Sequence, residues 1–160
     1  MAVSADEFKS ALGRWATGVT IVTACDGERV HGMTVSAFTE VSLEPPLVLV
    51  CADKTSNTLP FIEAGRAFAV NMLSSGQQAL SNKFASKKDE WRRFDDTAYE
   101  RGKTGAPLLA GVVANLDCRT IAEHHHGDHV VFVGEVEEVR TFDRPPLLHY
   151  QGHYGDYVQR

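Results

Sequence analysis

A run of histidines between residues 124 and 129 holds the side chains best suited to chemistry in this sequence. The chain reads H-H-H-G-D-H from His124 to His129, and imidazole both exchanges protons near neutral pH and binds metals. His124 and His126 would share one face of an extended strand, so a metal site is one alternative. We expect no metal, because no carboxylate or thiol stands at ligand spacing from this pair. We interpret Gly127-Asp128 as a turn that presents His129.

A second candidate site is the polar segment Lys54, Thr55, Ser56, Asn57 and Thr58, which follows an apolar strand and precedes a predicted helix. Hydroxyl groups, one cation and unpaired backbone N–H groups at a helix start can bind a phosphate. The same residues also suit simple helix capping, which Ser56 would satisfy as well. The residues alone leave both interpretations open.

The segment Thr34, Val35, Ser36, Ala37 and Phe38 combines small and hydroxyl side chains with one aromatic ring. Its backbone could therefore approach a flat ligand ring closely. The alternative is an ordinary strand end with Phe38 in the core.

A predicted helix ends with Ser81, Asn82, Lys83, Phe84 and Ala85. Lys83 could pair with a ligand phosphate. It could equally be a solvated lysine, which is favourable at a helix C-terminus.

Composition and missing motifs exclude several function classes. The chain has 160 residues, is 43% hydrophobic and carries a net charge of -5, which predicts one globular domain over residues 1–160 that binds no nucleic acid. No apolar run could cross a membrane, so we expect a cytoplasmic protein. Cys25, Cys51 and Cys118 lie far apart and are interpreted as free thiols. Phosphate-loop, Rossmann, zinc-protease and serine-hydrolase motifs are all absent.

The elements that must position these residues are mostly strands. Ser4 and Glu7 predict a capping box for an opening helix, whose apolar face would hold Phe8, Leu12 and Trp15. Ser75 and Gln78 predict a second capping box. Strands are predicted over 19–24, 30–38, 47–51, 68–72, 112–123 and 129–139, the first two and the last two forming hairpins, with a loop over 86–105. About six strands and three helices favour an antiparallel barrel.

Four segments, in this order, carry a resemblance to a known family: RWATGVTIVTA, GMTVSAFTEVSLEPPLVLVCADKTSNT, FAVNMLSSGQQALSNKFA and TGAPLLAGVVANLDCRTIAEHHHGDHVVFVGEVEEV. Together they resemble the short-chain flavin reductases that serve two-component monooxygenases, a branch of the flavin-binding split-barrel superfamily. The match extends from about Phe8 to Tyr154. The resemblance implies a mainly β fold with flanking helices, a six-stranded antiparallel Greek-key split barrel.

The resemblance also implies an activity and partners. FMN or FAD would be reduced by NADH or NADPH, and the reduced flavin would pass to a monooxygenase. The protein would be a homodimer with flavin near the subunit interface. The sequence does not distinguish the two flavins, the two nucleotides, or a retained flavin from a diffusing one.

Each candidate segment receives a role from the family. Thr34 to Phe38 would line the isoalloxazine, Lys54, Ser56, Asn57 and Thr58 would contact the phosphate, and Ser81, Lys83, Phe84 and Ala85 would contact the flavin tail. Backbone N–H groups near Cys51, Asp53 and Lys54 would stabilise charge on the reduced ring. His129 would be the catalytic residue that positions the nicotinamide, and Gly152, His153 and Tyr154 would close over it.

Two rival functions remain at this stage. One is a flavin- or haem-binding carrier or redox sensor on the same barrel, because a fold does not determine activity. The other is a metal-binding protein built on the histidine cluster.

Overall fold

The computed structural model describes residues 2–160 and contains mostly strands, with few helices. The α-helices are α1 (Ala5–Leu12), α2 (Leu59–Gly65) and α3 (Gln78–Ala85), and a 3-10 turn covers Glu90–Arg92. The strands are β1 (Thr17–Gly18), β2 (Thr20–Cys25), β3 (Val30–Val35), β4 (Phe38–Leu43), β5 (Pro46–Asp53), β6 (Ala67–Met72), β7 (Tyr99–Arg101), β8 (Pro107–Leu109), β9 (Ala114–His126), β10 (His129–Thr141), β11 (Leu147–Tyr150) and β12 (His153–Asp156).

The helix starts confirm one of the two predicted capping boxes. At α1 the Ser4 hydroxyl accepts from the Glu7 amide, and the Glu7 carboxylate accepts from the Ser4 amide at 3.0 Å. At α3 the prediction was wrong, because the helix starts after Gln77, whose side chain accepts from the Ser74 amide. The apolar face of α1 is also not part of the core, since Phe8 is 58% exposed.

The main sheet has seven strands in the order β3-β2-β6-β9-β10-β5-β4, all neighbours antiparallel. The predicted β2–β3 and β9–β10 hairpins are confirmed, and β9 and β10 are each 13 residues long. The strand predicted over 30–38 is divided at Ser36-Ala37. The count in this sheet is therefore seven and not six, because Phe38 begins a strand that pairs with β5.

This division determines the shape of the sheet. β3 and β4 occupy opposite ends of the seven-strand order, yet only Ser36 and Ala37 separate them along the chain. The Cα atoms of Val35 and Phe38 are thus at most about 11 Å apart, three steps of about 3.8 Å. The two ends of the order must lie side by side, so the sheet is rolled. We call the Ser36-Ala37 crossing the seam.

The core confirms the rolled shape, because one hydrophobic cluster receives side chains from all seven strands of the main sheet. A flat sheet would separate its edge strands too far for this. Phe38 of β4 packs against the cluster, and buried members from the other six strands include Val22, Val35, Val50, Val70, Cys118 and Phe132.

The remaining elements cover this rolled sheet. The region predicted as a loop over 86–105 contains the 3-10 turn and β7, which pairs with β8. β11 and β12 form a hairpin that joins β1 in a small sheet. Within residues 2–160 no helix has the length and apolar character needed to span a bilayer.

Candidate active site

The seam presents exposed small side chains and unpaired amides. Ser36 and Ala37 are exposed, and their carbonyl groups accept from the amides of Phe38 at 2.9 Å and Cys51 at 3.0 Å. Their own N–H groups donate to no group in the part of the chain that the structure describes. The seam therefore offers two backbone donors where a flat ring can approach closely.

Two pockets border the seam, and Trp15 contributes to both. One has a volume of about 370 Å³ and the other about 510 Å³, within the common range of roughly 300–1,000 Å³ for ligand pockets. The smaller is lined by Leu12, Gly13, Trp15, Thr17, Ser36, Ala37 and His149. Phe38 lines the larger and is half-buried. Trp15, predicted on the apolar face of the opening helix, lies beyond the end of α1 and is 77% exposed, within the R-W-A-T-G segment that carries the family resemblance.

Helix α3 is attached directly to the strand that leads into the seam. The Thr34 hydroxyl donates to the carbonyl oxygen of Ser81 at 2.6 Å. Ser81 is fully buried, and its hydroxyl lies 2.8 Å from the Tyr154 hydroxyl. Tyr154 donates its proton to the side-chain oxygen Oδ1 of Asn82, also at 2.8 Å, so Ser81 is the donor to Tyr154.

The other predicted flavin-tail residues of α3 have protein partners. The Lys83 ammonium pairs with Asp96 and donates to the Thr97 hydroxyl at 3.0 Å. The hydrogen bond that Asp96 accepts from Lys83 lowers the pKa of Asp96. The Phe84 ring is buried at 1% exposure and packs edge-on against Phe94, whereas Ala85 is exposed. Lys83 would have to leave Asp96 to bind a phosphate.

The segment after β5 is a tight loop whose hydroxyl groups have internal partners. The Thr55 hydroxyl and amide both donate to Asp53 at 2.7 Å, and these bonds lower the pKa of that carboxyl. The Ser56 hydroxyl accepts from the Thr58 amide at 3.1 Å and contacts the Met33 sulfur. Ser56 thus forms a local turn with the residue that precedes α2, but α2 itself has no side-chain cap, because its N-cap residue is Thr58 and makes none.

Thr58 belongs to a buried polar cluster. Its hydroxyl lies 2.8 Å from Nδ1 of His31, which is 2% exposed and stacks on Phe61. Burial, together with the Arg93 guanidinium, lowers the pKa of His31 to about 4, against the opposite effect of Glu90. His31 is therefore neutral at physiological pH. The sequence did not identify this cluster.

A second contact ties the same loop to the 3-10 turn. The Asn57 side-chain amide donates to Glu90 at 2.5 Å. The Asn57 backbone N–H has no hydrogen-bond partner within residues 2–160, and Asn57 is exposed. This amide is the free main-chain donor that the loop offers to an anion.

The turn after β9 presents His129 as predicted. Gly127 has φ +54, which supplies the left-handed conformation of a tight two-residue turn. Asp128 lies 2.7 Å from Nδ1 of His129, and this bond lowers the pKa of Asp128. Because a carboxylate only accepts, Nδ1 carries the proton and a neutral His129 keeps Nε2 as an acceptor. His129 is half-exposed.

His124, His125 and His126 lie at the end of β9, in the same hairpin as His129. His124 and His126 share a face, with their ring centroids 6.5 Å apart. His125 is on the opposite face and bonds to Glu123 at 3.0 Å. Across residues 2–160 no three or more His, Cys, Asp or Glu side chains are arranged to hold a metal.

The C-terminal residues Gly152, His153 and Tyr154 belong to the β11–β12 hairpin. Gln151 and Gly152 both have positive φ, which forms the tight turn. The Gln151 amide donates to Gly13 at 2.9 Å, and Tyr154 packs edge-on against His149. Since His149 also lines the smaller seam pocket, the hairpin forms part of that pocket's wall, while His153 is exposed.

Strand β5 connects the seam with the Gly127-Asp128 turn that precedes His129, which we call the histidine turn. Cys51 bonds to Ala37, and Asp53, two residues further and about 7 Å along the strand, pairs with His129. The Cys51 and Lys54 amides were expected to serve a ligand, but they donate to Ala37 and to Asp128. The seam, α3 and Tyr154 therefore lie together, whereas His129 pairs with Asp53, two residues along β5 from the seam contact of Cys51.

Comparison with known proteins gives a consistent result. The model of the flavin reductase like domain matches residues 12–157. The FMN reductase (NADH) SmoA of Agrobacterium fabrum is 41% identical over 153 residues, covering 96% of this chain and 86% of that protein. The reductase component of 4-hydroxyphenylacetate 3-monooxygenase from Thermus thermophilus is 41% identical over 150 residues, covering 93% and 94%.

A solved structure agrees with these relatives. The NADH:FAD oxidoreductase SgcE6 of Streptomyces globisporus C-1027 superposes with a TM-score of 0.91 at 34% identity, covering 99% of this chain and 98% of that one. The same protein has also been solved in complex with NAD and FAD fragments.

Proposed function

This chain belongs to the flavin reductase like domain family, and we propose that it oxidises NADH or NADPH, reduces FMN or FAD and supplies reduced flavin to a separate monooxygenase. The relatives support each part of this proposal, since one is named an NADH-dependent FMN reductase and another a monooxygenase reductase component. The single structural observation that carries it is the seam, where exposed small residues and two unpaired amides border the pockets.

The residues at the seam fit a flavin. Ser36 and Ala37 leave room for a flat ring, and their amides can donate to its polar edge, where negative charge grows on reduction. Trp15 offers an aromatic face beside them. A bound flavin supplies the hydride acceptor and a nicotinamide nucleotide the donor, so the chain needs no nucleophile or strong base. Its task is to orient both rings and exclude water.

Phosphate recognition is assigned to the loop after β5. The half-buried Ser56 hydroxyl donates to the Met33 sulfur, a weak acceptor that a phosphate oxygen can replace, and the Asn57 amide is unpaired, so both can donate to a flavin phosphate. Thr58 is fully buried, and we assign its hydroxyl to His31 instead of the ligand.

His129 is assigned to the nicotinamide. Because Nδ1 donates to Asp128, Nε2 is the ring nitrogen left to contact the carboxamide group of the nicotinamide. The role of His129 is orientation of the ring, not proton transfer. Gly152, His153 and Tyr154 are also assigned to the nicotinamide, from the hairpin beside the seam and α3 and not from beside His129.

The family fold and assembly complete the proposal. We propose that the rolled seven-stranded sheet is the form that the split β-barrel implied by the family resemblance takes in this chain. We propose a homodimer, because α1 exposes Phe8 and Leu12 at 58% and 55%, next to Trp15. A cytoplasmic location stays a prediction.

A steady-state assay of nucleotide oxidation tests the activity. NADH and NADPH are each combined with FMN and FAD, and absorbance at the nicotinamide band is followed. We expect oxidation that requires added or bound flavin. Constant absorbance in all four combinations, with folded protein, would refute the reductase and leave a flavin- or haem-binding carrier, which flavin and haem titrations would then identify.

A further inference from the structure

Lys54 makes a contact that the phosphate interpretation does not explain. Its ammonium donates to the carbonyl oxygen of Gly127 at 2.7 Å, and its amide donates to the carbonyl oxygen of Asp128 at 2.9 Å. Within residues 2–160, the carbonyl groups of Gly127 and Asp128 accept no other hydrogen bond. Lys54, the first residue after β5, therefore holds both carbonyl groups of the histidine turn.

The position of the turn explains why such a contact matters. His129 is the first residue of β10 and pairs with both His126 and Asp53. Gly127 and Asp128 lie beyond this ladder, and Asp128 is the residue that orients the His129 ring. A shift of the turn would move the Asp128 carboxylate, and with it the imidazole.

The electrostatic surroundings leave the lysine available for this role. Asp53 is bonded to Thr55, and Asp128 to His129, so neither carboxylate pairs with Lys54. The ammonium is directed to a neutral carbonyl group of the turn, 73 residues away in sequence.

We propose that Lys54 is a positioning residue for the nicotinamide side of the site, which fixes the Gly127-Asp128 turn and thereby the His129 ring, and that it is not a flavin-phosphate ligand. This inference rests on the proposed function, because it assigns His129 to the nucleotide. The residues of the loop after β5 then divide between two ligands: Ser56 and Asn57 bind the flavin, and Lys54 helps to position the nucleotide.

Lys54→Met, with Lys54→Arg as the conservative variant, tests the proposal. Lys103→Met is the matched control, since Lys103 is another exposed lysine that donates to a carbonyl group of β10, that of Glu137 at 3.4 Å. Three quantities are measured: hydrogen exchange of the amides at 126–129, the KM and kcat for the nucleotide, and the flavin Kd by fluorescence titration.

In Lys54→Met we expect faster exchange at the turn and a loss of about tenfold in kcat/KM for the nucleotide, because small displacements of an orienting group are costly. The flavin Kd should change less than twofold. Lys54→Arg should recover most of the loss, and Lys103→Met should match the wild type.

The opposite pattern overturns the proposal. A raised flavin Kd with unchanged exchange and nucleotide kinetics would make Lys54 a phosphate ligand, and no change in any quantity would leave it without either role. If the wild type oxidises no nucleotide, the proposed function fails, whereas unchanged hydrogen exchange in Lys54→Met refutes the turn contact independently.

Discussion

A single carboxylate determines what His129 can do. Asp128 holds the proton on Nδ1, so a neutral ring presents an acceptor at Nε2 to the ligand side. Such a ring suits an amide donor, and a nicotinamide carboxamide provides one. The sequence placed His129 after a turn correctly, but the tautomer follows only from the 2.7 Å contact.

His129→Ala should slow hydride transfer by about 100-fold, because the nicotinamide loses the group that orients it. The flavin contacts at the seam remain, so the flavin Kd should be unchanged. Stopped-flow reduction at saturating flavin measures this step.

The neighbouring His125 provides the control for this variant. It lies on the opposite face of β9, bonded to Glu123, so His125→Ala should be reduced at the wild-type rate. Equal rates for His129→Ala and the wild type would remove His129 from the mechanism, as would a loss of flavin binding.

Among the elements, the loop between β5 and α2 combines two functions that single substitutions can separate. Ser56→Ala should weaken flavin binding about tenfold or more, since a hydrogen bond to a charged group contributes roughly 1.5–3 kcal/mol. Fluorescence titration measures this change. An unchanged Kd would mean that the hydroxyl only caps the chain at Thr58.

Thr58→Val is the companion variant and should act on stability. It leaves Nδ1 of the buried His31 without a partner, which costs about 1–3 kcal/mol in the free energy of unfolding. Urea unfolding measures this loss. Flavin affinity should be retained at temperatures where the variant is folded.

Local signals account for the elements that were predicted correctly. The β2–β3 and β9–β10 hairpins and the capping box of Ser4 depend on residues close in sequence. The seam was missed because no glycine or proline marks Ser36-Ala37, and the division of the predicted strand depends on which distant strand each half joins. The partners of Thr58 and Lys83 were likewise non-local, His31 and Asp96.

At the scale of the whole molecule, the exposed apolar stripe of α1 needs a partner. Phe8 and Leu12 lie four residues apart on one helix face, which is typical of a surface buried in an interface. Sedimentation should give twice the 17.6 kDa mass of the chain.

Phe8→Lys combined with Leu12→Lys should shift the protein toward monomers. Leu43→Lys is the control, because Leu43 is also an exposed apolar side chain, 93% exposed, but belongs to the β4–β5 hairpin and not to α1. A dimer that persists in the α1 variant would show that another surface forms the interface.

The two-residue seam also makes ligand binding a sensor of complete folding. The amides of Ser36 and Ala37 are held in the arrangement that binds a ligand only when the other strands of the sheet bring the β2–β3 and β4–β5 hairpins edge to edge. A partly unfolded chain could retain one hairpin, but its seam would no longer be ordered. We therefore expect flavin to bind only the native state. Such a ligand raises the free energy of unfolding by about 2.7 kcal/mol at one hundred times its Kd. The melting temperature would then follow the flavin concentration around the protein.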